Sequence, residues 1–337
     1  MIKIGINGFG RIGRLALRVA LQEHKDKILP VAINTSGKMD PAGWAHLFNY
    51  DSTYRKFEGK VESNTDSITI NGIKIAIIAE RTPAEIPWGE YGADLVIEST
   101  GVFRRREEVK GHLKDSVKKV ILSAPPKDNS IPMFIIGVNE KDIGDNNIIS
   151  CASCTTNCAA PVAKTINEIF GIKKALMTTI HAYTSDQRLL DGSHKDLRRA
   201  RAAAVNIIPT TTGAALAVAK IYPPLKNKFT GMAVRVPVAT GSLIDFVFLT
   251  ARETEVNEVN SILKQASAQE LKGIMSANEK LLVSSDIIGS PFSALADLSL
   301  TQVIDGNLVK IVAWYDNEWG YANRLVEEAI LLAEKIA

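Results

Sequence analysis

The chain has 337 residues with 40 basic and 37 acidic side chains, a formal net charge of +3, and 46% hydrophobic residues. That length predicts two domains rather than one core, in a composition ordinary for a globular protein. The near balance of charge argues against nucleic acid as the main partner. No apolar run approaches the roughly 20 residues that a membrane-spanning helix needs.

Ile2-Lys3-Ile4-Gly5-Ile6-Asn7 reads as a strand that runs into Gly8-Phe9-Gly10-Arg11-Ile12-Gly13; Ile12, Leu15, Ala16, Val19 and Ala20 then share one helical face. A fold that starts this early predicts no signal or transit segment before it. Glycines at this spacing, between a strand and a helix, let backbone N–H groups approach a pyrophosphate at the helix N-terminus. The expectation is a dinucleotide site; the plainer alternative is a tight turn with no ligand. The next strand, Leu29 to Ile33, is followed by Asn34-Thr35-Ser36-Gly37-Lys38, where a ribose-binding carboxylate is expected. Hydroxyls and an ammonium replace the charge that would repel a 2′-phosphate, so NADP is admissible beside NAD.

Further strands are predicted at Ile68–Ile70, Ile73–Ala79, Leu95–Glu98, Val120–Ser123 and Phe134–Val138, and Arg104-Arg105-Arg106 predicts the start of an exposed helix. Alternation with helical pieces implies a mostly parallel sheet. After residue 150 the pattern changes. Cys154 to Phe170 predicts a helix kinked at Pro161 and closed by Gly171, and Leu176–Ile180 a strand ending at His181. A polar, Arg-rich segment fills 184–209. Met232–Pro237, Leu243–Thr250, Leu298–Ile304 and Leu308–Tyr315 predict long strands of antiparallel character, the last two joined by Asp305-Gly306-Asn307. Tyr321 to Ala337 predicts a closing amphipathic helix. The fold class is therefore α/β: a Rossmann-type dinucleotide domain over 1–152, completed by a helix over 320–337, and an α+β catalytic domain over 153–319 with a mostly antiparallel sheet.

Ser153-Cys154-Thr155-Thr156-Asn157-Cys158 places a thiol at a helix start, where the dipole favours thiolate and free N–H groups can receive an oxyanion. Cys154 is the candidate nucleophile and His181 its base. The plainer readings are a small buried hydrophobe and a structural histidine. Three cysteines, at 151, 154 and 158, make no disulfide framework and predict a reducing cytoplasm; without a neighbouring histidine they also argue against a metal or iron–sulfur site. Arg235, inside an apolar strand, needs an anion: a protein carboxylate or a substrate phosphate. Thr210-Thr211-Thr212-Gly213 predicts a turn that caps a helix or holds an anion. The run from His194 to Arg201, with Arg198 in it, reads as a solvated face, a subunit interface or phosphate surroundings.

Taken together these motifs resemble phosphorylating glyceraldehyde-3-phosphate dehydrogenase along the whole chain. The resemblance rests on Asn7 to Gly13, Glu98-Ser99-Thr100-Gly101, Ser123-Ala124-Pro125, Ala152 to Asn157, His181-Ala182-Tyr183-Thr184, Pro209 to Gly213 and Trp314 to Gly320. It implies that Cys154 attacks the aldehyde of glyceraldehyde 3-phosphate while His181 acts as base and steadies the oxyanion. A thioester then yields 1,3-bisphosphoglycerate to inorganic phosphate. The substrate phosphate maps onto Thr184 and Arg235 with Asp186 alongside, and the attacking phosphate onto Ser153, Thr155, Thr212, Gly213 and Arg235. The resemblance gives Asn317 the nicotinamide carboxamide, Tyr321 the ring, Arg11 and Ile12 the pyrophosphate, and Thr100 and Ser123 the cofactor groove. It also implies a homotetramer whose S-loop, about 184–209, reaches a neighbouring subunit's cofactor.

Two positions depart from the family pattern. NAD-specific members carry Asp where Thr35 stands and commonly Leu-Pro at Gly192-Ser193, whereas photosynthetic NADP-using relatives have a small residue and Ser there. That likeness maps a 2′-phosphate onto Ser193 and Arg81, with Lys38 as a further contact, and implies that NADP is accepted and open to being preferred. Cys151 stands where the family usually has Asn, either neutrally or as a resolving thiol. The rival readings are erythrose-4-phosphate dehydrogenase and a nucleic-acid- or protein-binding module built on the dinucleotide groove.

Overall fold

The apolar runs of the first half become strands buried on both faces, as strands of a parallel sheet are. The computed structural model describes residues 1–336, which form two units: Met1–Phe134 with Glu140–Ala152 and the chain from Ala322 onward, and Ile135–Asn139 with Ser153–Tyr321.

In the first unit the chain runs β1 (Ile2–Asn7), α1 (Arg11–Glu23), β2 (Ile28–Asn34), α2 (Pro41–Asn49), a small hairpin of β3 (Tyr50–Asp51) and β4 (Arg55–Lys56), then β5 (Val61–Ser63), β6 (Ser67–Ile70), β7 (Ile73–Ile78), β8 (Leu95–Glu98), α3 (Arg106–Val109), β9 (Lys119–Leu122) and β10 (Ile148–Ser150). Eight strands form one sheet in the order β10-β9-β8-β1-β2-β7-β6-β5. Pairing is parallel from β10 to β7, and β5–β6–β7 add an antiparallel edge. β1 pairs in parallel with β2 on one side and β8 on the other. Its C-terminal end, at Asn7, therefore marks the point where connections diverge and doubly wound sheets bind ligands. Leu15, Ala16, Val19 and Ala20 of α1 are buried as the periodicity predicts.

Phe134–Val138 is not a strand. Val138 N–H bonds to the Ile135 carbonyl, Gly137 takes φ +84°, and the Asn139 side chain accepts from Ile135 N–H, which closes the segment into turns. Apolar composition alone does not separate a buried turn from a buried strand.

The second unit begins with α4 (Cys154–Phe170), then β11 (Ile172–Ala182), β12 (Ile208–Thr211), α5 (Ala214–Ile221), β13 (Phe229–Val236), β14 (Ser242–Thr250), α6 (Val256–Ala268), β15 (Met275–Asn278), β16 (Ala294–Ile304) and β17 (Leu308–Tyr315), before α7 (Trp319–Ala333). Its seven-stranded sheet runs β12-β13-β11-β14-β17-β16-β15, with β11–β13 and β15–β16 parallel and the other four pairings antiparallel. The β16–β17 hairpin turns on Asp305 and Gly306 with φ +47° and +71°, left-handed values that tight hairpin turns favour and that Asp and Gly tolerate. α4 continues through Pro161, and Gly171 at φ +65° closes it. Thr210 and Thr211 belong to β12 rather than to a turn; Thr212 then accepts from Ala214 N–H at the start of α5. α7 starts two residues before the predicted Tyr321, and the predicted end at Ala337 lies outside the described residues.

α7 carries an ionisable group into the first unit's interior. Glu328 is fully buried, and neither carboxyl oxygen completes a hydrogen bond with a described residue, although the Cys151 thiol lies near enough to favour the ionised form. Burial wins and holds its pKa well above the usual 4.5. A raised carboxyl costs no stability below its unfolded pKa and progressively more as pH rises toward its folded one. Glu328→Gln is therefore expected to match the native melting temperature near pH 4 and exceed it increasingly above. The gain is about 1.4 kcal/mol per pH unit while only the folded state holds the proton. A difference that stays constant from acid to alkaline pH contradicts this account.

Candidate active site

The glycine loop after β1 bends back because Gly8 adopts φ +94°, where a Cβ would stand 2.7 Å from the Thr100 amide nitrogen. Gly13 lets α1 pack onto the loop; a Cβ there would meet the Gly8 carbonyl at 2.1 Å. Gly10 faces open space with nothing within 4 Å of an added Cβ, and as N-cap of α1 it offers no side-chain acceptor to the helix's first N–H groups. Those amides and that space suit an incoming pyrophosphate. Around them lies a groove of about 650 Å³ lined by Asn7, Gly8, Phe9, Gly10, Asn34, Thr35, Ser36, Lys38, Trp44, Glu80, Arg81 and Thr100, among others.

A buried polar network beneath the groove sets its shape. Trp88 Nε1 donates to His112 Nδ1 at 3.0 Å, so the His112 proton sits on Nε2, which donates to Glu98 at 3.0 Å. Glu98 also accepts from Asn7 Nδ2 at 2.5 Å, from Thr100 N–H at 2.9 Å and from the Thr100 hydroxyl. Asn34 in turn donates to Asn7 Oδ1 at 2.8 Å and spans Glu80 through both backbone groups. Asn7, Asn34 and Thr100 thus line the groove in fixed orientations. Thr35 is buried with its hydroxyl on the Ile78 carbonyl at 3.2 Å, leaving Ser36, Lys38 and Arg81 as the polar side chains beyond β2 and Glu80 as the acid among them.

Three further residues expected at the cofactor stand beside this loop and the neighbouring strands. The Arg11 guanidinium pairs with Asp51 at 2.5 Å and lies over the Tyr54 ring, with its backbone at the first position of α1. Ile12 follows it in the first turn of α1. Ser123 follows β9, its amide donating to the Glu98 carbonyl at 2.9 Å.

In the second unit the thiol stands at the first position of α4. Ser153 is the N-cap, its hydroxyl accepting from Thr156 N–H at 3.1 Å, which commits it to the helix. Cys154 Sγ lies 3.5 Å from His181 Nε2 and 3.9 Å from the Thr155 hydroxyl. Arg235, one strand over on β13 and in register with His181, brings Nη1 to 2.7 Å from His181 Nδ1. Burial pushes the Cys154 thiol up, against the Arg235 charge and the hydroxyl and amide hydrogen bonds at the helix start that favour thiolate. Desolvation outweighs these favourable contacts. Burial, reinforced by Arg235, lowers His181 to about 3, so its ring is neutral near pH 7. Cys158 is buried one turn on and its thiol is held well up, consistent with packing. Cys151 is wholly buried in the first unit, and none of the three cysteines forms a disulfide among the described residues.

Tyr315 and Thr179 are site residues that sequence reasoning missed. The Tyr315 hydroxyl joins Thr155 Oγ1 and Thr179 Oγ1, each at 2.9 Å, and the ring meets His181 edge-on at 5.9 Å between centroids. Arg199, part of the His194 to Arg201 run, was not singled out from sequence. It bonds the Thr210 hydroxyl at 2.9 Å and pairs with Asp186 at 2.6 Å, and its charge acts on both Arg235 and His181. Asp186 is thus a clamp on Arg199. Arg198 is exposed, and its guanidinium donates to the Pro209 carbonyl at 3.4 Å. Thr184 follows β11, its carbonyl accepting from Gln187 N–H, and Gly213 precedes α5. Ser193 lies in the exposed segment, its carbonyl accepting from Arg188. Asn317 is buried and oriented by Thr240 and Ser242, whose hydroxyls reach its Oδ1 at 3.2 and 2.7 Å; Tyr321 is buried.

A groove for a dinucleotide and a thiol–histidine–arginine cluster make the comparisons with known proteins specific. Residues 2–106 match the family model for the glyceraldehyde 3-phosphate dehydrogenase NAD binding domain, and residues 153–317 the one for its C-terminal domain. The chain is 51% identical to glyceraldehyde-3-phosphate dehydrogenase 2 of Streptomyces avermitilis over 99% of both chains. It is 52% identical to the Thermotoga maritima glyceraldehyde-3-phosphate dehydrogenase over 98% of this chain and 99% of that one. It is 50% identical to the Geobacillus stearothermophilus enzyme of the same name, over 99% of each. The chain belongs to the glyceraldehyde-3-phosphate dehydrogenase family.

Proposed function

We propose that this chain oxidises glyceraldehyde 3-phosphate and passes the acyl group to inorganic phosphate, with Cys154 as nucleophile. The observation that carries the reading is the Cys154–His181 contact of 3.5 Å, backed by Arg235, in a chain of this family. The thiolate sulfur adds to the aldehyde carbon, and the new oxyanion lies within reach of His181 Nε2 and the amides that open α4. When bound, the nicotinamide supplies the hydride acceptor for the oxidation. Cys154 then holds the acyl group as a thioester, which keeps the free energy of oxidation available to the attacking phosphate. Arg235 and Thr184 are assigned the substrate phosphate, with Asp186 acting through Arg199. Thr155, Thr212 and Gly213 are assigned the attacking phosphate, with Ser153 fixing the helix start. Asn317 and Tyr321 are assigned the nicotinamide. Steady-state assays with and without inorganic phosphate test the reading: phosphate-dependent reduction of the cofactor is expected. Phosphate-independent turnover with erythrose 4-phosphate as the better substrate overturns it.

The cofactor is NAD(P), and NADP is accepted on this reading. Thr35 puts no carboxylate at the end of β2, while Lys38 and Arg81 line the same groove. Glu80, the one acid named in that lining, is the group that works against a 2′-phosphate. Thr35→Asp is expected to lower kcat/KM for NADP by about tenfold or more, the equivalent of ~1.4 kcal/mol of charge repulsion, and to spare NAD. A native preference for NAD of about a hundredfold, ~2.7 kcal/mol, contradicts the assignment.

A homotetramer is part of the proposal. Leu189, Leu190, Leu197, Val205 and Ile207 are all more than 70% exposed on the 184–209 segment, as an interface segment is in an isolated chain. A cytoplasmic setting is inferred from three cysteines that form no disulfide framework. Among the described residues no helix is long and apolar enough to cross a membrane.

A further inference from the structure

One buried histidine in the first unit holds the carboxylate on which part of the dinucleotide groove hangs. His112 ends the single turn Lys110–His112 that follows α3 and is wholly buried, as is Trp88. Gly5 of β1 makes room for the indole: a Cβ there would stand 2.6 Å from the Trp88 ring. An indole N–H can only donate, so His112 Nδ1, 3.0 Å away, accepts, and the ring hydrogen stays on Nε2. Nε2 lies 3.0 Å from Glu98 Oε2 and 3.5 Å from Asn7 Nδ2, and of these two only the carboxylate oxygen accepts. Glu98 Oε2 also receives a hydrogen from Asn7 Nδ2 at 2.5 Å, and Oε1 receives the Thr100 N–H at 2.9 Å and the Thr100 hydroxyl. These donors fill the roughly four acceptor sites of a carboxylate. The Thr100 hydroxyl in turn accepts from Val102 N–H at 3.1 Å, so the stretch 99–103, whose Ser99, Thr100, Val102 and Phe103 line the groove, is tied to Glu98. Asn7 lines it too, and its Oδ1 accepts from Asn34 at 2.8 Å; a flipped amide would set that oxygen against the carboxylate.

We propose that His112 is a positioning residue for dinucleotide binding: its Nε2–H holds the Glu98 carboxylate where Asn7 and the 99–103 wall of the groove are in place for the ligand. The inference rests on this groove being the dinucleotide site and is independent of the chemistry at Cys154. A buried carboxylate that loses a donor turns to satisfy the freed oxygen, and Asn7 and Thr100, bonded to the same two oxygens, turn with it. The ligand itself must then order the wall, and that cost appears as weaker binding. The Trp88–His112 bond serves a different end. It satisfies a buried indole and fixes the ring tautomer, whereas the Nε2 bond is the one that meets the carboxylate shared with the groove.

Two substitutions separate these roles, because Asn mimics the Nδ1 side of a histidine and Gln its Nε2 side. His112→Gln keeps a donor for Glu98 and gives up the acceptor for Trp88; His112→Asn does the reverse. Each leaves one buried partner unsatisfied, so both are expected to lower the melting temperature to a similar extent. Binding is read by titrating NAD and NADP into the full-length chain, native and variant, with no substrate present. His112→Asn is expected to weaken dinucleotide binding by about tenfold or more, the scale of one lost hydrogen bond to a charged group, and His112→Gln by less than about threefold. Equal Kd values for the two variants, or a defect that follows the melting temperature rather than the donor, overturn the proposal and leave the groove reading standing. A native chain that binds neither dinucleotide overturns both. If neither variant folds, the native chain decides. Coupling is reciprocal, so the His112 Nε2–H, assigned in the 15N-labelled chain by its contact with the Trp88 indole N–H, should exchange with solvent more slowly once dinucleotide is bound. Unchanged exchange overturns the proposal.

Discussion

Replacing Cys154 by Ser or Ala is expected to cost about ten-thousandfold or more in kcat, because no other group forms the covalent intermediate. Serine keeps the size and the helix position but is far harder to ionise than a thiol. Both variants should keep dinucleotide binding, since the residues of the groove lie between Asn7 and Phe103 in the first unit. They should also fold, because Ser153, not Cys154, supplies the cap of α4. The check pairs kcat with a direct cofactor-binding titration. A Ser variant within tenfold of the native rate removes the thioester from the account. The native thiol adds a pH signature. Burial raises its pKa, so the acylation rate should climb with pH as the thiolate fraction grows.

Replacing His181 by Asn is expected to lower kcat by about a hundred- to a thousandfold with a small change in KM, the range seen when one oxyanion donor is lost. The pH dependence is the sharper signature. With His181 lowered to about 3, it is neutral throughout the range from about pH 5 to 8, and no histidine limb should cut into kcat/KM there. An inflection near pH 6 to 7 that vanishes in His181→Asn contradicts the neutral ring. Arg235 contributes to both groups in opposite senses. Its charge favours the Cys154 thiolate and disfavours a protonated His181.

What the sequence made legible was local. The glycine spacing after β1, the capped start of α4 and the Asp305-Gly306-Asn307 hairpin each depend on residues a few positions apart. Their conformational needs are written into glycine, hydroxyl and turn residues. What stayed hidden was made by distant strands. Tyr315 meets Thr155 across 160 residues of sequence, and Asn7 meets Glu98 across 91. No periodicity announces such pairs, because sheet order sets them. Asp186 illustrates the same limit from the other side. Sequence placed it near a phosphate, and only the fold reveals that its carboxylate pairs with Arg199. The pairing of Arg11 with Asp51 is likewise visible only in the fold. The Phe134–Val138 segment failed for a local reason, since Gly137 in the left-handed region and the Asn139 cap were outweighed by apolar composition.

Acyl transfer through Cys154 is tested most directly by acid quenching after mixing the enzyme with glyceraldehyde 3-phosphate and oxidised dinucleotide in the absence of phosphate, followed by peptide mass spectrometry. A 3-phosphoglyceroyl adduct on the peptide carrying Cys154 is expected, formed in step with cofactor reduction and discharged when inorganic phosphate is added. Cofactor reduction with no adduct, or an adduct on any other side chain, contradicts it.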